Sequence, residues 1–177
     1  MTATESSAPA TGIAPGALGL VQSFANMLGA APGEDLLATR EGAVPWLRGT
    51  GLMAADAIIT NSEHGALLRL RDALRDAIAA HGAPRADADA AMRLTKGLAD
   101  GRLVTTITPE GVVKLATAAR SVYPSIVAAI AVAIAESDAA GTWLQLTQCQ
   151  DPDCGQACYT EPGAATATHC PAHATDA

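Results

Sequence analysis

Thr60-Asn61-Ser62-Glu63-His64-Gly65-Ala66-Leu67-Leu68-Arg69-Leu70-Arg71-Asp72-Ala73-Leu74-Arg75-Asp76-Ala77-Ile78-Ala79-Ala80-His81-Gly82 is the clearest helix in this chain. Thr60 and Glu63 have capping-box spacing, so each can satisfy a backbone N–H that the helix start leaves open. Leu67, Leu70, Leu74 and Ile78 then form one apolar stripe. Arg69, Arg71, Asp72 and Arg75 fall mostly on other faces, and Gly82 followed by Pro84 ends the segment. A helix with one apolar stripe must pack against neighbours, and the flanking sequence supplies them.

Upstream, Leu20, Val21, Phe24, Met27 and Leu28 repeat at helical spacing, which predicts a helix over 18–28. Thr39 can cap a short helix running through Leu47, with Trp46 and Leu47 facing inward. Downstream, residues 86–99 are rich in good helix formers. Two β-branched runs, 103–108 and 112–115, flank Pro109-Glu110-Gly111 and predict a small hairpin. Pro124 suits the first turn of a helix over 125–136 that is apolar nearly all round and therefore buried. The fold class is mainly α with a small β-hairpin.

Composition agrees. Hydrophobic residues make up 49% of the 177, but the aromatic ones are only Phe24, Trp46, Tyr123, Trp143 and Tyr159, so the core is built from Ala, Leu, Ile and Val. Residues 1–16, mostly Ala, Thr, Ser, Pro and Gly, are expected to be a disordered leader without the basic flank and apolar run of a secretory signal. A helical domain over 17–142 and a small appendage over 143–177 complete the division. The most apolar stretch, 122–135, is shorter than the roughly 20 residues of a spanning helix, so no membrane span is expected. A cytoplasmic location follows, with reduced thiols that favour metal over disulfides.

The appendage holds all four cysteines, Cys149, Cys154, Cys158 and Cys170, followed by His173 in the pattern C-x4-C-x3-C-x11-C-x2-H. Turn-forming residues at 150–153 and 161–163 give the backbone the reversals that a tetrahedral site requires, which points to a zinc knuckle. The net charge is −7, and no Lys or Arg follows Arg120, whereas Glu136, Asp138, Asp151, Asp153, Glu161 and Asp176 do. This acidic end argues against phosphate backbones and anionic membranes as partners.

From Trp143-Leu144-Gln145-Leu146-Thr147-Gln148-Cys149 onward, the chain resembles the C-terminal finger of the CGNR zinc finger family, which follows an ABATE domain in bacterial stress-induced transcription regulators. Cys149, Cys154-Gly155 and Cys170 match the family spacing, with Tyr159 inside the aromatic run. Leu20-Val21-Gln22-Ser23-Phe24-Ala25-Asn26 resembles the opening helix of the ABATE domain, and Asp35-Leu36-Leu37-Ala38-Thr39 and Leu70-Arg71-Asp72-Ala73-Leu74-Arg75 resemble its next landmarks. The chain departs from the family at the fourth cysteine, where Thr175 stands, in the missing Gly-Asn-Arg, and in residues 164–168, where Ala and Thr replace the usual arginines. The resemblance thus implies a degenerate finger without its nucleic-acid-facing cations.

Three family-matched thiolates leave one ligand place open. Cys158 would give an all-thiolate site and ranks ahead of His173, which would give three cysteines and one histidine; His169, adjacent to Cys170, ranks third. An iron-sulfur cluster is the alternative, because C-x4-C-x3-C comes within one residue of the plant-type spacing. Asn26 either holds the fold through a backbone contact or touches a ligand, and the structural role ranks first. Arg71, four residues from Arg75, either meets an anion in a cleft or pairs with Asp72 or Asp76 on a solvated face. His64 and His81 read as surface or capping histidines. Two functions stand against each other: a regulatory protein that senses a small molecule and contacts a protein partner or a second copy of itself, and a metal-dependent enzyme or accessory protein with a small-molecule pocket.

Overall fold

The structure is a computed structural model that describes residues 11–29, 34–163 and 169–173. Among these residues the helices are α1 (Gly16–Ala25), α2 (Arg40–Gly49), α3 (Asn61–His81), α4 (Ala88–Leu98) and α5 (Val122–Ala139). One sheet orders β1 (Thr11–Gly12), β5 (Ala157–Thr160) and β4 (Leu146–Gln148) as β1-β5-β4, all antiparallel, and a separate hairpin pairs β2 (Leu103–Ile107) with β3 (Val113–Thr117).

The capping box forms at α3. Thr60 Oγ1 accepts from the Glu63 N–H at 3.2 Å, and Glu63 Oε2 accepts from the Thr60 N–H at 2.9 Å. Leu67, Leu70, Leu74 and Ile78 are each at most 1% exposed, so the stripe is the centre of the core. Thr39 caps α2 and Asp87 caps α4 in the same way, each accepting a backbone N–H three residues on.

By length and composition α5 could cross a membrane, because the helix runs on from the apolar stretch 122–135 to Ala139. Here it packs against α1, α3, α4 and β3, with Ile126, Val127 and Ile130 fully buried. The 3-10 turn at Ala99–Gly101 comes close against it: a Cβ on Gly101 would lie 2.9 Å from the Ala128 nitrogen, so only glycine permits the approach.

Both ends of the helical domain are tied to the rest of the chain. Residues 1–10 of the leader lie outside the described residues, but Thr11 and Gly12 pair with Thr160 and Tyr159, so the chain has a defined course well before residue 17. Gln22 fixes this start by accepting from the Ala14 N–H at 2.7 Å and donating to the Gly12 carbonyl at 3.2 Å. At the other end, Leu146, Ala157 and Tyr159 join the same buried cluster as Leu18, Phe24 and Leu74. Body and appendage share one core.

Candidate metal centre

β4 and β5 run antiparallel with Gln148 opposite Ala157, and the segment between them folds back as a tight loop. The Cys149 N–H donates to the Gln156 carbonyl at 2.8 Å, the Cys154 N–H to the Asp151 carbonyl at 3.1 Å, and the Asp153 N–H to Asp151 Oδ1 at 3.0 Å. Gly155 closes the loop with φ of +59°, where a Cβ would stand 2.7 Å from Arg75 Nη2. Cys149 and Cys154 thereby reach the same point. Cys170 joins them from the far side, its N–H donating to Cys149 Sγ at 3.3 Å, and the turn at its C-terminal side brings the His173 N–H to the Cys170 carbonyl at 2.9 Å.

The result is a quartet: one donor atom each from Cys149, Cys154, Cys170 and His173, all within 4.8 Å of one another. Cys154 Sγ and Cys170 Sγ are 3.6 Å apart, and His173 Nδ1 lies 3.3 Å from Cys170 Sγ and 3.9 Å from Cys149 Sγ. A tetrahedron with metal–sulfur bonds of about 2.3 Å and metal–nitrogen bonds of about 2.0–2.1 Å has sulfur–sulfur edges of about 3.8 Å and sulfur–nitrogen edges of about 3.6 Å. The two sulfur–nitrogen separations bracket their edge, and the sulfur–sulfur separation is about 0.2 Å short of its own. They also leave all four cysteines free, since a disulfide needs about 2.05 Å.

Cys158, ranked ahead of His173 on spacing, packs against the other three sulfurs but lies outside the quartet. It sits in β5 opposite Thr147, and its Sγ donates to the Gln156 carbonyl at 3.4 Å. The strand register sets its direction, whereas His173 follows Cys170 through a turn that can close on the site. His169 belongs to the described residues but not to the quartet, while Thr175 and residues 164–168 lie outside the described residues.

The thiols are mutually opposed in charge. Burial, reinforced by neighbouring sulfurs, pushes Cys154 up to about 11 and Cys158 up to about 12. Cys170 goes the other way: burial works against its ionisation, but hydrogen bonds from the Cys154 thiol and the Ala172 N–H outweigh it and lower its value. Three sulfurs this close cannot all ionise unless a cation lies among them, so the donor set fits a metal ion.

The centre is fastened to the helical body. Asn26, at the end of α1, accepts from the Ala157 N–H at 2.7 Å and donates to the Ala157 carbonyl at 2.9 Å, so its side-chain amide acts as the peptide unit of a further strand. Gln22 donates to the same carbonyl at 3.1 Å, and Gln156 Nε2 donates to the Leu28 carbonyl at 2.7 Å. Arg75 lies behind the loop, donating to the Ala25 carbonyl at 3.0 Å, and burial lowers its basicity, aided by the Arg71 charge.

Asn26 and Arg71 were the candidate ligand contacts. Both polar atoms of the Asn26 amide are engaged by backbone. Arg71 is only 5% exposed rather than on a solvated face, because Asp35 folds over it and accepts from Nη1, with Asp72 at 3.4 Å from Nε. Among the described residues, neither lines the three cavities of about 400, 470 and 510 Å³ beside the helices. His81, which reads as a surface or capping histidine, places its Nδ1 2.7 Å from the Leu146 carbonyl and its ring edge-on to Trp143.

No curated protein matches the chain at a significant level. A family model for the ABATE domain, described as a putative stress-induced transcription regulator, matches residues 16–141. That span covers α1 through α5, and the Cys/His quartet follows it where a degenerate finger would stand, so the chain belongs to the ABATE family.

Proposed function

We propose that the chain is a cytoplasmic zinc-binding regulatory protein whose helical body senses a small molecule and whose knuckle acts through contacts with a protein or a second copy of itself. The observation that carries this reading is the Cys149, Cys154, Cys170 and His173 quartet, fastened by Asn26 to an ABATE body. Its edges suit one tetrahedral ion. An iron-sulfur cluster puts sulfide and more than one iron between its thiolates and would spread them further. Four protein donors also close the coordination sphere, which favours a structural zinc over the open site of a metal-dependent enzyme.

Protein contact is favoured over DNA by two features. No Lys or Arg follows Arg120, and the β5 side chains that the aromatic run contributes are packed against the body instead of facing outward. Meanwhile the β2–β3 hairpin exposes Leu103, Val104, Ile107, Val112, Val113 and Leu115. A patch of that kind suits a protein surface.

The test begins with metal analysis of protein purified under reducing conditions without added zinc. One zinc per chain is expected, lost in Cys154→Ala and His173→Ala and kept in Cys158→Ser. Iron with a visible absorbance band, or no metal, would sink the zinc reading. Anisotropy with genomic DNA fragments at about 50 mM salt, where electrostatic binding is strongest, should give no saturable, sequence-selective signal; such a signal would restore a direct DNA-binding role.

A further inference from the structure

We propose that the cavity between the C-terminal half of α3, α4, the end of α5 and Trp143 binds a small uncharged, largely apolar molecule carrying one hydrogen-bond donor, which His81 Nε2 accepts. The proposal rests on the sensing part of the function above and gives it a site and a ligand class. The cavity holds about 510 Å³. Ala80 and Ala91 keep its walls short, Leu94, Ile134 and Trp143 make them apolar, and its one carboxylate, Asp87, is committed to the Ala90 N–H as the cap of α4. No cation lines it, so an anion would leave water without compensation.

His81 supplies the polar handle. A carbonyl can only accept, so the 2.7 Å contact with Leu146 puts the proton on Nδ1 and leaves Nε2 as a bare acceptor. The ring is held edge-on to Trp143, centroids 4.6 Å apart at 84°, which fixes the direction of that lone pair. Burial lowers the His81 pKa from its ordinary value, so the neutral ring is the working form near pH 7. A mostly apolar pocket with one oriented polar group is the usual make-up of a small-molecule site.

Position links this cavity to the metal centre. Trp143–Gln145 is the single turn between α5 and β4, and Leu146, which His81 holds, opens the strand that leads to Cys149. A molecule seated against His81 and Trp143 therefore touches the segment carrying the first thiolate.

The experiment uses the full zinc-loaded chain with 4-propylphenol and 4-propylanisole, two probes of matched shape of which only the first has a donor. Binding is read from the indole N–H resonance of Trp143, with that of Trp46 as the internal reference. The phenol should move the Trp143 signal saturably and bind about fivefold more tightly than the anisole, the ratio expected for one net hydrogen bond. Ala91→Phe, on the exposed side of α4, should weaken the phenol by about tenfold or more while leaving the fold intact. Equal affinity for the two probes, no saturable shift, or undiminished binding in folded Ala91→Phe would overturn the proposal. The rate of zinc transfer to a chelator separates the two readings: phenol binding that changes this rate supports both, and phenol binding at an unchanged rate supports this cavity while counting against sensing through the knuckle.

Discussion

Asn26→Ala removes one side chain and two bonds that cross between segments more than a hundred residues apart. The two losses differ. The Ala157 carbonyl keeps Gln22 as a donor, so losing the Asn26 Nδ2 bond costs about 0.5–1 kcal/mol. The Ala157 N–H keeps nothing, in a residue only 5% exposed, and stranding a buried donor costs about 1–3 kcal/mol. Backbone strain adds little, because Asn26 has φ of −88° and ψ of 7°, which alanine adopts. The expected loss is therefore about 1.5–4 kcal/mol. Urea denaturation of the zinc-saturated protein, followed by circular dichroism and by tryptophan fluorescence, measures it as a shift in midpoint at constant slope. Ser23→Ala is the control, since it removes only the exposed hydroxyl that accepts from Trp46 Nε1 at 2.9 Å. A loss below about 1 kcal/mol, or one no larger than the control's, would refute the account of Asn26 as a surrogate strand.

Other substitutions probe separate features. Thr147→Val should stabilise the chain by about 1 kcal/mol, because Thr147 Oγ1 is buried without a partner and valine keeps the strand shape; a lower melting temperature would contradict this. Arg71→Leu should cost about 2–4 kcal/mol in the same urea assay, less than a fully buried pair, because Asp35 retains the Leu37 N–H and some access to water. Gly155→Ala should lower the melting temperature and weaken zinc retention against a chelator, since the left-handed backbone and Arg75 both oppose a Cβ. For pH, His81 has its folded pKa below the ordinary 6.5, so the unfolded chain binds the extra proton in that window. Its contribution is complete above about 6.5 and fades as pH falls toward the depressed folded value; the difference in melting temperature between the chain and His81→Gln should shrink from about pH 7.5 to about pH 5.5, whereas a constant difference would exclude the effect.

Local physics made much of this legible in the sequence. The capping box, the α3 stripe, the cap at Thr39, and the hairpin around Pro109 all depend on residues within a turn or two of each other. What escaped depends on distant partners. Arg71 reads as a solvated face until Asp35, 36 residues earlier, closes over it. His81 reads as a helix-end histidine until β4 arrives with the Leu146 carbonyl 65 residues later. Reach along the chain does not separate Cys158 from His173; in the structure Cys158 belongs to a strand, and the His173 donor atom is the one within 4.8 Å of the other three. Nothing local to Asn26 names Ala157 as the partner of its amide.

The shared core bears on how the affinity of the proposed zinc site should be measured. Leu146, Ala157 and Tyr159 are buried against the helices, so the loop carrying Cys149 and Cys154 is organised by the body before any ion arrives. The ordering entropy that a free knuckle peptide would surrender on chelation has here been spent during folding of the body. A dissociation constant measured on an excised peptide would therefore understate the grip of the whole chain. By the same reciprocity, anything that loosens α1 or α3, however far from a sulfur, should appear as leakage of the ion.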